Sequence, residues 1–383
     1  MTSIVCSLAS AAVAVASVFT LGGCASNDPP SSSSATYSTP EQFPGASWTR
    51  DDPAALGWSA ERLAAAVEYA KREGSTAGMV VQHGLVIAQW GDTSRKSELY
   101  SARKSFMSAL VGIAVEKGQI HLDETLAQLG IDDKEPSLTP TEKQATVREL
   151  LEARSGVYHP TVYETASMER AKPPRGSHGP GEFWYYNNWD FNSIGAIYEK
   201  ATGQRIFDAL ETQIAIPIGM QDYRPSDGYY VSGGRATQYP AYPIRMGARD
   251  LARFALLFLH NGRWRDQQIV PSSWVAASTH SYSDTPTGGY GYMWWTSTPA
   301  NGPRGPAATL LRETFWADGH LGQYAVVVPS LDLVVVTRVD AKLTKQQMGQ
   351  QKMEKLVLLV EAAEGAADIG AEAGVVRLAP LPT

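Results

Sequence analysis

The sequence predicts an α/β domain: an antiparallel sheet built from both ends of the chain and flanked by helices, with a mostly helical insertion over about residues 118–284. Three observations lead there. Strand-like apolar runs occur early, in GMVVQHGLVIAQWG, and late, in QYAVVVPSLDLVVVTRV. Between them ATVRELLEARSG, NSIGAIYEKATG and RDLARFALLFLHNG place apolar residues at helical spacing. Strands at the two ends with helices between them form a single layer when the ends pair with each other. The 383 residues, 43% of them hydrophobic, supply core for one large domain or two fused ones, and no internal repeat occurs from about residue 46 onward.

The elements follow in order. Residues 1–24 read as a targeting segment, because SLASAAVAVASVFTLGGC is apolar and too short to span a bilayer comfortably. It ends in Leu21-Gly22-Gly23-Cys24, which resembles the bacterial lipobox. That resemblance implies cleavage before Cys24, a lipid on its sulfur, and an exported protein held at the membrane of a bacterial cell envelope; a plain secretory signal is the other reading. No Lys or Arg precedes the apolar run. Residues 25–45, rich in Ser and Pro, read as a flexible tether, and 46–383 as the folded domain.

Within that domain SAERLAAAVEYAKREG is a helix opened by Ser59, and the first strand pair turns at His83-Gly84. A helix follows from Ser101, with Phe106, Ala109, Leu110, Ile113 and Ala114 in helical register. After the helical middle, YGYMWWTS reads as a strand, the last strand pair turns at Pro329 to Leu331, and a helix from about 345 to 363 closes the fold.

Composition excludes several functions. A net charge of -6 with no basic run argues against a nucleic-acid partner. The only cysteines are Cys6 and Cys24, so the folded domain has no disulfide and no thiolate metal site. The seven histidines are scattered without ligand spacing, and G-x-S-x-G, G-x-x-x-x-G-K, H-E-x-x-H and G-x-G-x-x-G are all absent. No metal or organic cofactor is expected.

Ser101-Ala102-Arg103-Lys104 is the one S-x-x-K in the chain. Ser101 and Lys104, three apart, share a helix face near its N-terminus. A capping serine and a snorkelling lysine would look the same, and about one such spacing is expected by chance, so the motif needs partners. Chemically it suits a nucleophile. A serine hydroxyl requires a base, and a lysine serves as one when burial lowers its pKa toward neutrality. The positive helix end also favours an alkoxide at Ser101.

A second segment, GEFWYYNNWDFNSIGAIYEKATG, has an aromatic and amide cluster running into a helix. With Tyr186-Asn187-Asn188 it resembles the Y-x-N segment of the β-lactamase-like serine hydrolases. That superfamily includes class C β-lactamases, D-Ala-D-Ala peptidases, esterases and 6-aminohexanoate-dimer hydrolases. RELLEARSGV and GARDLARFALLFLHNGRW resemble further segments of it, and the likeness runs over roughly 46–362. The resemblance implies a β-lactamase/D-Ala peptidase-like fold, a Tyr186 phenol relaying a proton between Ser101 and the leaving group, and Asn188 hydrogen-bonding the acyl side of the substrate. A tyrosine near a lysine ammonium ionises below its usual value of about 10. Phe183, Trp184, Tyr185 and Trp189 are expected to surround Tyr186 and make the cleft aromatic.

The family's third element is a K-T-G or H-T-G triplet on a late strand, whose following N–H faces the oxyanion. Two registers are open: Ala317-Asp318-Gly319 with His320 donating, or His320-Leu321-Gly322. In the first, Ala317 stands where the family has a cation that helps hold a substrate carboxylate. That departure points away from lactams and D-Ala termini toward small esters and amides. The expected activity is hydrolysis of such a small-molecule ester or amide through an acyl-enzyme on Ser101. The alternatives are a β-lactamase, a D-Ala-D-Ala carboxypeptidase, or a penicillin-binding-like sensor that acylates without turnover.

Overall fold

The computed structural model describes residues 42–302, 306–311 and 313–365. The expected leader with Cys24, and the tether as far as residue 41, lie outside the described residues. Gln42 to Gly45, read as the end of that tether, lie against the domain instead. The Phe43 ring packs on His260 and Trp264, and Arg253 of the RDLARF segment donates to the Gly45 carbonyl at 2.7 Å.

Helix α1, Ala60–Arg72, is opened by Ser59, whose hydroxyl accepts from the Arg62 N–H. Strands β1, Ala77–Gln82, and β2, Leu85–Gly91, form the expected hairpin, with His83 and Gly84 both in the left-handed region (φ 49° and 75°). Helix α2, Arg103–Glu116, follows a single 3-10 turn over Tyr100–Ala102. Helices α3, Asn188–Thr202, and α4, Ala248–Leu259, belong to the region between α2 and the returning sheet. The sheet resumes with β3, Ser283–Thr285, β4, Gly288–Tyr290, β5, Trp295–Thr296, β6, Phe315–Gly319, β7, Gln323–Val328, and β8, Leu333–Arg338. Helix α5, Gln350–Glu361, ends the described elements and is shorter than the expected 345–363. Met348 just before it is fully buried, its N–H donating to Leu321 O at 2.9 Å, and this holds the chain out of the helix.

The eight strands run in the order β2-β1-β8-β7-β6-β5-β4-β3, so the two ends of the domain meet where β1 pairs antiparallel with β8, Met79 opposite Val336. All six residues of β8 are buried, because both faces of the sheet are covered. Leu333 and Val335 join Trp58, Trp316 and Leu356 under α1 and α5. Val334 and Val336 join Phe106, Leu110 and Phe254 under α2 and α4.

Helix α2 is buried without a break from Arg103 to Ala114, wedged between sheet and helical region. Phe106 stacks on Phe254 at 3.7 Å, and a Cβ at Gly112 would lie 2.3 Å from the Trp274 ring, so a helix-weak glycine is required there. Two expectations are corrected. YGYMWWTS is not one strand but the end of β4, a turn with Met293 at φ 61°, and β5. ATVRELLEARSG keeps only Val147–Leu151 as helix, opened by a Thr146/Glu149 capping box.

Candidate active site

The site begins where the chain enters α2. Tyr100 has φ 48°, unusual for a side chain of its size, and the next residue is Ser101. No side chain caps this end of α2, so Ser101 is not an N-cap. Its Oγ instead lies 2.9 Å from Lys104 Nζ, one turn on.

Lys104 is 2% exposed and meets three oxygens: Ser101 Oγ, Tyr186 Oη at 2.6 Å and Asn188 Oδ1 at 2.8 Å. The chain folds this way at Tyr186-Asn187-Asn188 because Asn187 caps α3. Its side chain accepts from the Trp189 N–H at 3.0 Å and donates to Asp190. Tyr186 therefore sits just before the cap and Asn188 just after it, and both reach Lys104. Asp190, driven well above the carboxylate range by burial, accepts from Ser155 at 2.6 Å and steadies the cap from below.

Burial pushes Lys104 well below its ordinary value, the nearby Arg103 charge adds to this, and Asp318 opposes it. Burial pushes Tyr186 up; the Ser101 hydrogen bond and the Arg103 charge pull the other way without prevailing. The expected low-pKa phenolate is thus corrected, although Tyr186 keeps a partly exposed edge. Desolvation penalises both charges of a lysine ammonium–phenolate pair, and the neutral amine with the neutral phenol is the favoured arrangement. A neutral amine donates twice and accepts once, which three oxygen neighbours, two of them hydroxyls, satisfy. It can take the Ser101 proton directly or through Tyr186.

Asn188 does not have a free amide for substrate. Its oxygen takes the Lys104 bond and its nitrogen donates to Tyr163 O at 2.9 Å.

The first of the two expected triplets, Ala317-Asp318-Gly319, lies on β6. Gly319, the last residue of that strand, abuts the Ser101 turn so closely that a Cβ would stand 2.1 Å from Leu99 O. His320 follows, its ring edge-on to Tyr100 at 5.5 Å, and lines the same cavity as Ser101. His320-Leu321-Gly322 is the turn into β7, with Leu321 at φ 72° and Gly322 at φ 121°. The Cβ direction of Gly322 meets Met348 and Val339, not the Ser101 turn. The geometry puts Ala317-Asp318-Gly319 on the strand beside the serine. Ala317 is wholly buried in the core between sheet and helices, which leaves that position no room for a cation. Asp318, named from the sequence only as the middle of the triplet, is pushed up to about 7 by burial and pulled back by Lys104.

The aromatic wall differs from the expected one. Tyr186 packs against Phe191, Tyr290 and Trp295, the last stacked at 5.6 Å. Of its sequence neighbours, Trp184 touches this cluster through Tyr290 and Trp295. Phe183 instead stacks on His178, Tyr185 packs on Tyr158, and buried Trp189 donates to Asp133 at 2.7 Å. Ser101, Tyr186, Asn188 and His320 open on a cavity of about 530 Å³ walled also by Tyr100, Tyr163, Met168, Tyr229 and Pro243. Among the described residues no group of three or more His, Cys, Asp or Glu is placed to hold a metal ion, and no helix is long and apolar enough to cross a membrane.

A family model described as beta-lactamase matches residues 61–351. Among solved structures, a Bacillus anthracis protein described as a 6-aminohexanoate-dimer hydrolase superposes with a TM-score of 0.57 at 20% identity, over 77% of this chain and 80% of that one. A penicillin-binding protein homologue from Caulobacter crescentus gives 0.57 at 14% identity, over 80% and 99%. EstCE1, a hydrolase with promiscuous acyltransferase activity, gives 0.56 at 14% identity, over 78% and 98%. At these identities the likeness is one of fold. No curated protein matches the chain closely enough to count as a relative.

Proposed function

The chain belongs to the beta-lactamase family, and from that premise we propose that it is a serine hydrolase cleaving small esters or amides through an acyl-enzyme on Ser101. The observation that carries this reading is the convergence on Lys104 Nζ of Ser101 Oγ at 2.9 Å and Tyr186 Oη at 2.6 Å, at the edge of a cavity.

In the first half-reaction the Ser101 hydroxyl gives its proton to the Lys104 amine, directly or by way of Tyr186, as Oγ bonds to the substrate carbonyl carbon. The oxyanion that forms accepts from the Ser101 and His320 N–H groups, each such donor being worth about 2.7–4 kcal/mol. Collapse breaks the ester or amide bond, and the leaving alcohol or amine takes the proton back from Lys104 through Tyr186. Water then repeats the sequence on the acyl-enzyme, releasing the acid and restoring Ser101. Buried Ala317 supports the ester and amide reading over a lactamase, since the triplet lacks the cation that the family resemblance associates with lactam carboxylates.

The test is labelling with a fluorophosphonate, followed by turnover of p-nitrophenyl butyrate and nitrocefin side by side. Labelling is expected at Ser101, with steady ester turnover and slow nitrocefin cleavage, and Ser101→Ala is expected to lose labelling and turnover together. A label mapped to another serine, or Ser101→Ala retaining activity, refutes the assignment. A burst without turnover points to a sensor that only acylates.

A further inference from the structure

Arg103 stands between the serine and the lysine in the sequence, and the mechanism above does not use it. It is 4% exposed yet lines the cavity onto which Ser101 opens. Its Nη1 donates to Tyr100 O at 2.8 Å, and its guanidinium lies 4.9 Å from the centre of the Tyr242 ring. Its Nε is buried with no hydrogen-bond partner, and no carboxylate pairs with it among the described residues. The other charges on the cavity wall are neutralised. Glu98 accepts from Arg245 at 2.7 Å and from Tyr229 at 3.0 Å, and Glu164 pairs with Lys172. The cavity therefore adjoins one uncompensated positive charge, within two residues of the nucleophile. A buried, unpaired guanidinium is unfavourable on its own, because water has been removed and no anion replaces it. Its planar fork of donors matches a carboxylate.

We propose that Arg103 is a specificity-determining residue that binds a carboxylate carried by the substrate, so that the preferred esters or amides are anionic. This rests on the serine hydrolase reading. It also relocates the charge: the position of the family cation, Ala317, is closed, and the available cation lies at the start of α2 beside Tyr242. A flexible acyclic substrate can bring its carboxylate there. A carboxylate held rigidly for the strand triplet is not delivered to it.

Two matched ester pairs test this in the whole protein. One places the anion on the acyl side, mono-p-nitrophenyl glutarate against p-nitrophenyl butyrate. The other places it on the leaving side, 4-carboxyphenyl butyrate against phenyl butyrate. In at least one pair the anionic ester is expected to have a kcat/KM about 10- to 100-fold higher, the worth of one charge-assisted hydrogen bond. Arg103→Met should reduce that ratio at least about tenfold, whatever it does to overall rate, and Arg103→Lys should restore part of it. Equal or lower kcat/KM for the anion in both pairs, or a ratio that Arg103→Met leaves unchanged, overturns the proposal. A guanidinium that merely tunes Lys104 would alter the pH profile and leave the ratio alone. Should Arg103→Met fail to fold, the wild type decides: hexanoate, and not hexanamide, should slow fluorophosphonate labelling of Ser101. Labelling at Ser101 that hexanoate does not slow overturns the carboxylate site alone, and absence of labelling at Ser101 overturns the hydrolase reading with it.

Discussion

Replacing Gly319 by alanine adds one methyl group at the point where β6 meets the nucleophile turn. That carbon would stand 2.1 Å from Leu99 O and 2.8 Å from Gln323 Cβ, whereas real Cβ atoms essentially never come within 3.0 Å of such neighbours. Strand and turn must therefore separate by at least 3.0 − 2.1 = 0.9 Å. Leu99 cannot yield alone. It is fully buried, its N–H donates to Ile244 O at 2.8 Å, and its carbonyl accepts from the Ala102 N–H at 3.1 Å, within the turn that holds Ser101. Moving Leu99 O moves Ser101 relative to His320, the two groups proposed to bind the oxyanion. A displacement of about 1 Å in a catalytic constellation lowers the rate about 100-fold, and complete loss of one oxyanion donor lowers it about 100- to 1000-fold. Gly319→Ala should therefore lose at least about 100-fold in kcat/KM for p-nitrophenyl butyrate, mostly in kcat. Overpacking of this kind destabilises by about 1–3 kcal/mol, so the variant should still fold, and a thermal melt checks this. A folded Gly319→Ala protein that keeps activity within about threefold of wild type would refute the placement of the β6 edge at the oxyanion.

Two further expectations follow from the polar groups around Lys104. Asp318, held at about 7 by burial, keeps its proton in the folded state after the unfolded chain has lost its own. The folded state then binds more protons between about pH 4 and 7, and stability declines as pH rises through that window. Asp318→Asn should flatten the decline in melting temperature and, by removing the charge that raises Lys104, shift the acid limb of kcat/KM to lower pH; coincident profiles for variant and wild type would refute this. Asn188→Ala removes the acceptor of the 2.8 Å bond from Lys104 and frees Tyr163 O. A hydrogen bond between neutral partners contributes about 0.5–1.5 kcal/mol, so fluorophosphonate labelling of Ser101 should slow by roughly 2- to 10-fold, and an unchanged rate would refute a role for Asn188 in positioning the lysine.

Local chemistry was legible in the sequence because it acts over a few residues. Ser59 caps α1 three residues from its partner, and His83-Gly84 supplies the left-handed turn of the first hairpin. The S-x-x-K spacing puts Ser101 and Lys104 on one face by helix geometry alone. The second arm of the site, Tyr186-Asn187-Asn188, was marked by its resemblance to the family's Y-x-N segment, and the capping of the helix by Asn187 emerged only in the structure. The pairing of the two chain ends followed from where the strand-like runs fall. Other features depend on neighbours that no local spacing reveals. Tyr290 and Trp295 reach Tyr186 from strands about a hundred residues on, while its own sequence neighbours Phe183, Tyr185 and Trp189 turn to other partners. The third motif is degenerate as a string, and only the structure shows that Gly319, not Gly322, closely approaches Leu99 O. Whether Lys104 or Tyr186 holds the proton, and whether Arg103 has a counterion, are matters of desolvation and of what lies across a cavity. The sequence by itself determined which groups are available for the chemistry and which of them are neighbours along the chain. Only the tertiary structure decided their protonation, their free hydrogen bonds and their unpaired charge, because all three depend on how completely water has been replaced, and by what.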